Sequence, residues 1–95
     1  MSINPKKQSQ KMKKVDFRKI VIKDVEGNDV VADFQKQLGN QLYMQGRNIE
    51  ECELGRRIYH AEGEVELTDD EARMVANATQ GYSYVARIAI DAALK

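Results

Sequence analysis

The chain has 95 residues with one Cys, one His, one Pro and no Trp, and its 15 basic residues match its 15 acidic ones. That length holds a single domain with one modest core. One cysteine excludes an internal disulfide and a disulfide-stapled scaffold, and aliphatic runs no longer than Ile20-Val21-Ile22 exclude a membrane-spanning helix.

The balanced charge hides an asymmetry. Residues 1–14 carry Lys6, Lys7, Lys11, Lys13 and Lys14 and no acid, whereas residues 15–95 carry ten basic against fifteen acidic residues, so a +5 arm precedes a −5 body. The arm is polar, holds the proline and shows no period, and it reads as disordered in isolation. A single domain is expected over residues 15–95. Met12-Lys13-Lys14-Val15 reads as a start, which makes residues 1–11 an upstream extension. No apolar segment follows the basic residues, so there is no signal peptide and a cytoplasmic location is expected.

Val15–Asp24 is rich in β-branched residues and reads as a strand, with Phe17 and Val21 on one face and Ile20 and Ile22 on the other. Asp24 to Asp29 supplies turn chemistry, with Gly27 at the position that needs φ > 0. Val30-Val31-Ala32 returns as the second strand of a β-hairpin.

Asp33 is a candidate N-cap for a helix whose Phe34, Leu38 and Leu42 form a narrow apolar stripe. Gly39 inside that helix points to close contact with another element, and Gly46 ends it. A second helix begins at Asn48, with Glu51 three residues on as a variant capping box. Its buried side is read as Ile49, Leu54 and Ile58, flanked by Cys52 and Ala61, and Glu53 and Arg57 form a favourable i,i+4 pair. Gly63 stops it.

Glu64-Val65-Glu66-Leu67 alternates polar and apolar and reads as a short third strand pairing with the hairpin, or equally as an extended connector. Thr68-Asp69-Asp70-Glu71 is a capping box that opens a third helix with Ala72, Val75, Ala76 and Thr79 inward. Gly81 ends or kinks it. Ser83 caps a last helix whose core side is read as Val85, Ile88, Ala89 and Ala92, widened by Tyr84, Ile90 and Leu94. That helix is apolar on most sides, so it is either a central core helix or one that hides a face against a partner. The fold class is α+β, with a small antiparallel sheet and about four short helices in the order ββααβαα.

The residues do not assemble a reactive centre. Cys52 and His60 lie eight residues apart on one helix, about 12 Å, too far for a nucleophile–base pair and too few for a zinc site. No glycine loop suits a phosphate and Asp69-Asp70-Glu71 lacks the spacing of a calcium loop. No catalytic residue, cofactor or metal is expected, and the chain reads as a non-enzyme. The four tyrosines, apolar along the body and polar at the tip, suit an interface. Tyr43, Tyr59, Tyr82 and Tyr84, with Ile90 and Leu94 of the last helix, are the candidate protein interface.

The segments Leu54-Gly55-Arg56-Arg57-Ile58-Tyr59-His60 and Gly63 to Ala72 resemble small uncharacterised bacterial proteins of prophages and other mobile elements. The likeness covers residues 12–95 and rests on a strand followed by a capping box. It implies an accessory or assembly role and transfers no site residue. Self-association or a protein partner is therefore the first expectation. The alternative is nucleic-acid binding, with the five arm lysines on phosphates beside Arg56 and Arg57. Against it, those lysines lack interleaved aromatics or arginines, and the acidic body repels a polyanion.

Overall fold

A computed structural model describes residues 12–95; Lys6, Lys7 and Lys11 lie outside them. The elements in order are β1 (Lys13–Val15), β2 (Ile20–Lys23), β3 (Asp29–Ala32), α1 (Gln35–Gln45), α2 (Ile49–His60), β4 (Val65–Leu67), α3 (Asp69–Ala78) and α4 (Tyr84–Ala93). The α+β class and the expected order hold, with the expected first strand divided into β1 and β2.

A turn at Asp16 makes that division. Its carboxylate accepts the Arg18 N–H at 3.0 Å and the Arg18 Nε at 3.2 Å, while its carbonyl accepts the Lys19 N–H at 3.0 Å. An aspartate that bonds its own backbone two residues on competes with a strand ladder. The break changes the facing of every residue around it. Phe17 and Ile20 both enter the core, and Val21 is left half-exposed at 48 %, which corrects the alternation read from an unbroken strand. Lys13 and Lys14, read as part of the arm, stand in β1.

The same break yields two separate antiparallel sheets of two strands. β1 pairs with β4, Val15 opposite Val65 and Lys13 opposite Leu67. β4 therefore does not extend the hairpin, as expected, but binds the part of the chain that precedes it. β2 pairs with β3, Ile20 opposite Ala32 and Lys23 opposite Asp29. Gly27 takes the left-handed φ of 87° in the connecting turn, and the Asp24 carboxylate accepts the Glu26 and Asn28 N–H groups, both at 2.9 Å.

The core gathers Val15, Phe17 and Ile20 from the strands, Leu38, Leu42, Leu54 and Ile58 from α1 and α2, and Val65, Leu67, Val75, Ile90 and Leu94. α1 and α2 approach most closely at their glycines. A Cβ on Gly55 would lie 2.6 Å from the Gly39 carbonyl oxygen, and one on Gly39 would lie 2.7 Å from the Tyr59 nitrogen. Neither residue can carry a side chain without pushing the two backbones apart. Gly46 ends α1 in extended backbone, φ −63° and ψ 138°, not in the left-handed conformation of a usual C′ glycine. A Cβ there would meet the Leu42 carbonyl at 2.7 Å.

Gln35 closes the far end of α2. It is 6 % exposed, and its amide nitrogen donates to the carbonyls of Ile58 at 3.1 Å, Tyr59 at 3.3 Å and Ala61. Carbonyls at a helix C-terminus lack intrahelical partners, and Gln35 supplies a donor here beside the Ala61 N–H on Ile58 and the Lys36 Nζ on Tyr59. Thr68 and Glu71 complete the expected capping box, with bonds of 3.1 and 2.9 Å. Asn48 caps α2 through the Glu51 N–H at 2.9 Å, but the Glu51 carboxylate reaches the Arg47 N–H instead of closing the box. Ser83 caps α4. Asp33 accepts the Gln35 N–H at 3.0 Å, but the N-cap of α1 is Phe34 and carries no side-chain cap bond, so the expected Asp33 cap is corrected by one residue.

Three expectations on α2 and α4 are corrected. Ile49 is 75 % exposed because it occupies the first turn of α2, beyond the reach of α1. Glu53 pairs loosely with Arg56 at 3.9 Å, and Arg57 turns to Glu71 at 3.0 Å and to the Glu66 carbonyl at 3.2 Å. α4 is rotated relative to the expected facing: Ala86, Ile90 and Leu94 point inward, and Val85 and Ile88 point out. No helix among the described residues is long and apolar enough to cross a membrane.

Candidate functional site

α4 runs beside β2. Its inward stripe recurs at Ala86, Ile90 and Leu94, four residues apart, and docks on the core. A helix whose apolar residues cover more than one stripe must leave some of them outside. Val85, Ile88 and Ala92 are those residues, and with Ala89 they face Val21 and the Lys23 stem across a groove of about 410 Å³. Val31 lies directly across the ladder from Val21 on the same face of the ribbon. Val21, Val31, Val85 and Ile88 thus share one apolar surface, with Val31 62 % exposed. Scattered exposed aliphatics need no explanation, but a contiguous set does. Lys23 and Asp29 form an ion pair at the rim.

The expected interface residues divide. Tyr84 is exposed at the start of α4. Tyr43 and Tyr59 flank the glycine crossing of α1 and α2 around a hollow of about 200 Å³ with Asn40, Arg56 and His60. Lys36 Nζ sits 4.2 Å from the Tyr59 ring centre, Arg56 sits 5.8 Å from that of Tyr43, and the His60 ring meets Tyr59 edge-on. Tyr82 is half-buried. It packs on Phe34 with ring centres 5.7 Å apart and donates to Gln41 Oε1 at 2.8 Å. Gln41 in turn donates to the Ala78 carbonyl at the end of α3. Tyr82 is thus a structural tie, and burial pushes its phenol above the ordinary value. Ile90 and Leu94 are corrected outright: they are 0 % and 7 % exposed, inside the core, and present no surface.

Of the arm lysines among the described residues, Lys13 and Lys14 stand in β1, and Lys14 faces Glu66 at 3.9 Å. Arg56 and Arg57 point to different partners and make no shared basic patch.

Val85 and Ile88 were read as core because periodicity gives two apolar stripes on this segment, and the packing of α4 seals the other one, Ala86–Ile90–Leu94.

The hollows with polar linings differ in size. One, between α1, α2 and α3, holds Gln41, Gln45, Arg47, Glu51 and Asn77 in about 230 Å³, and the tyrosine hollow is smaller still; both are below the roughly 300–1,000 Å³ of ligand pockets. Two wide surface depressions are larger, about 860 Å³ beside Arg57, His60, Glu64 and Glu71 and about 640 Å³ beside Arg47, Cys52 and Arg56. Among the described residues, no three His, Cys, Asp or Glu side chains converge as a metal site would require. Cys52 is half-buried, with its Sγ 3.5 Å from the Tyr43 carbonyl.

Comparison of the chain with protein-family models, with curated proteins and with solved structures finds no match.

Proposed function

We propose that the chain is a non-enzymatic interaction or assembly factor that docks protein through the β2–α4 face. The observation that carries this reading is the outward apolar stripe of α4, which continues across the groove onto Val21 and Val31. Burying such a surface gives roughly 25 cal/mol per Å², and leaving it in water forgoes that stabilisation. A non-reactive chain with a spare apolar face has the chemistry of a binding module. The likeness of residues 54–60 and 63–72 to proteins of prophages and mobile elements supports an accessory role in such an element. The nucleic-acid alternative has less support, since β1 takes up two of the five arm lysines and Lys14 faces Glu66.

The test compares the full chain with Ile88→Glu and Tyr43→Ala. Chemical cross-linking in solution should trap a protein complex with the full chain and with Tyr43→Ala. Ile88→Glu, which places a charge in the groove, should abolish it with an unchanged circular dichroism spectrum. Equal cross-linking by Ile88→Glu would refute the β2–α4 face.

A further inference from the structure

The β2–β3 ribbon leaves β3 exposed to an unusual degree. Val30 and Val31 face opposite sides of the ribbon, yet they are 46 % and 62 % exposed. β2 is the sole strand beside β3, so among the described residues the outer edge of β3 has no strand partner. The ladder fixes which backbone groups lie on that edge. The Asp24 N–H donates to the Asn28 carbonyl at 2.9 Å, and Ile22 and Ile20 stand opposite Val30 and Ala32. Hydrogen-bonded pairs alternate along an antiparallel ladder. Asn28, Val30 and Ala32 therefore turn their N–H and C=O groups toward β2, and Asp29 and Val31 turn theirs outward. No backbone bond from another described segment reaches those two residues. Edge strands are usually blunted by lysine, proline or a bulge. β3 is four residues long and carries the charge of Asp29 at its start, but its run Val30-Val31-Ala32 has no lysine, proline or bulge.

We propose that β3 pairs antiparallel with β3 of a second copy, making a continuous four-stranded sheet with Val30 on the two-fold axis. The inference rests on the β2–α4 reading, since it continues the same face across the axis, and it names the partner as this chain itself. Two-fold antiparallel pairing keeps each face of the ribbon on its own side, so only a few registers are open. Centring on Val31 sets Asp29 opposite Asp33 of the second copy, and like charges directly opposite are destabilising. Centring on Val30 sets Asp29 opposite Val31 of the second copy, twice by symmetry. Those are the residues with outward N–H and C=O groups, and each pair exchanges both bonds. Val31 of each copy then extends the apolar surface that Val21, Val85 and Ile88 begin. The mode is strand addition, in which main-chain bonds supply affinity and alternate side chains supply selectivity, and the interface is isologous.

Three variants test it on the full chain, with light scattering across a concentration series. Val31→Pro removes an outward N–H but no bond to β2, so it should stay folded by circular dichroism and lose association. In a Cys52→Ala background, Val30→Cys should form a disulfide-linked dimer on oxidation with glutathione disulfide. The two Cα atoms would lie about 4.5 Å apart as a non-hydrogen-bonded pair, within the range disulfides span. Val31→Cys should cross-link several-fold more slowly. A wild-type chain monomeric at every concentration, association undiminished in Val31→Pro, or faster cross-linking through Val31→Cys would each overturn the pairing. If cross-linking to a different protein remains sensitive to Ile88→Glu while the chain is monomeric, strand pairing fails and the docking face stands. If Ile88→Glu changes nothing, the docking face itself fails.

Discussion

The α1–α2 crossing and the β2–α4 face treat apolar and polar groups in opposite ways. At the crossing, two glycines bring the backbones together, Leu38, Leu54 and Ile58 are sealed, and Gln35 satisfies the carbonyls that α2 leaves open. At the β2–α4 face, valines and an isoleucine remain in water and the outer edge of β3 has no strand partner among the described residues. The first region is built for stability, and the second is the face proposed for binding. Substitutions at the first should therefore be costly to folding, and at the second costly only to association.

The largest effect is expected at Gly55. Gly55→Ala places a methyl 2.6 Å from both the Gly39 oxygen and the Tyr43 nitrogen. Backbone on both sides leaves no flexible atom to yield, so a loss of about 3 kcal/mol or more is expected in urea unfolding. Gln35→Leu should follow. It keeps the volume but strips the Ala61 carbonyl of its donor and leaves Ile58 and Tyr59 only the Ala61 N–H and the Lys36 Nζ, and a loss of roughly 2 kcal/mol is expected in the same assay. Thr68→Ala, which opens the capping box, should cost about 1 kcal/mol.

How much of this the sequence disclosed depends on how local the cause is. The capping box at Thr68, the caps at Asn48 and Ser83 and the turn at Gly27 are written within four or five residues, and each is where it was read. The packing role of Gly39 was legible because glycine inside a helix needs a reason. The split of the first strand was not, although its cause, Asp16, is local. A run of β-branched residues masked an aspartate that bonds its own backbone. The facing of α4 was hidden for another reason. Val85, Ile88, Ile90 and Leu94 are all apolar, so periodicity alone gives two stripes, and only the position of β2 chooses between them. Gln35 was passed over because a polar residue on an apolar stripe declares its role only when the carbonyls of α2 arrive from 23 residues away.

Two titrations sharpen the comparison with smaller effects. The Asp16 carboxyl is held below its ordinary value of 3.8 by its hydrogen bond to Arg18. The stability it supplies is present above that value and is lost as pH falls through the lowered folded value. Thermal midpoints of Asp16→Asn should lie below wild type at neutral pH and converge with it in acid. Tyr82 works at the other end. Burial raises its phenol above 10.0, so its contribution is present below that pH and is lost as pH rises through the folded value. Tyr82→Phe should flatten the alkaline limb of the stability profile, while Val31→Thr on the open face should shift stability by no more than about 0.5 kcal/mol at any pH.

The most direct measurement is light scattering coupled to size exclusion on the full chain, on the chain beginning at Met12, and on Val31→Pro. The account predicts a concentration-dependent dimer for the first two and a folded monomer for the third. A dimer of unchanged strength in Val31→Pro would contradict it, because the β3 edge would then have no part in assembly.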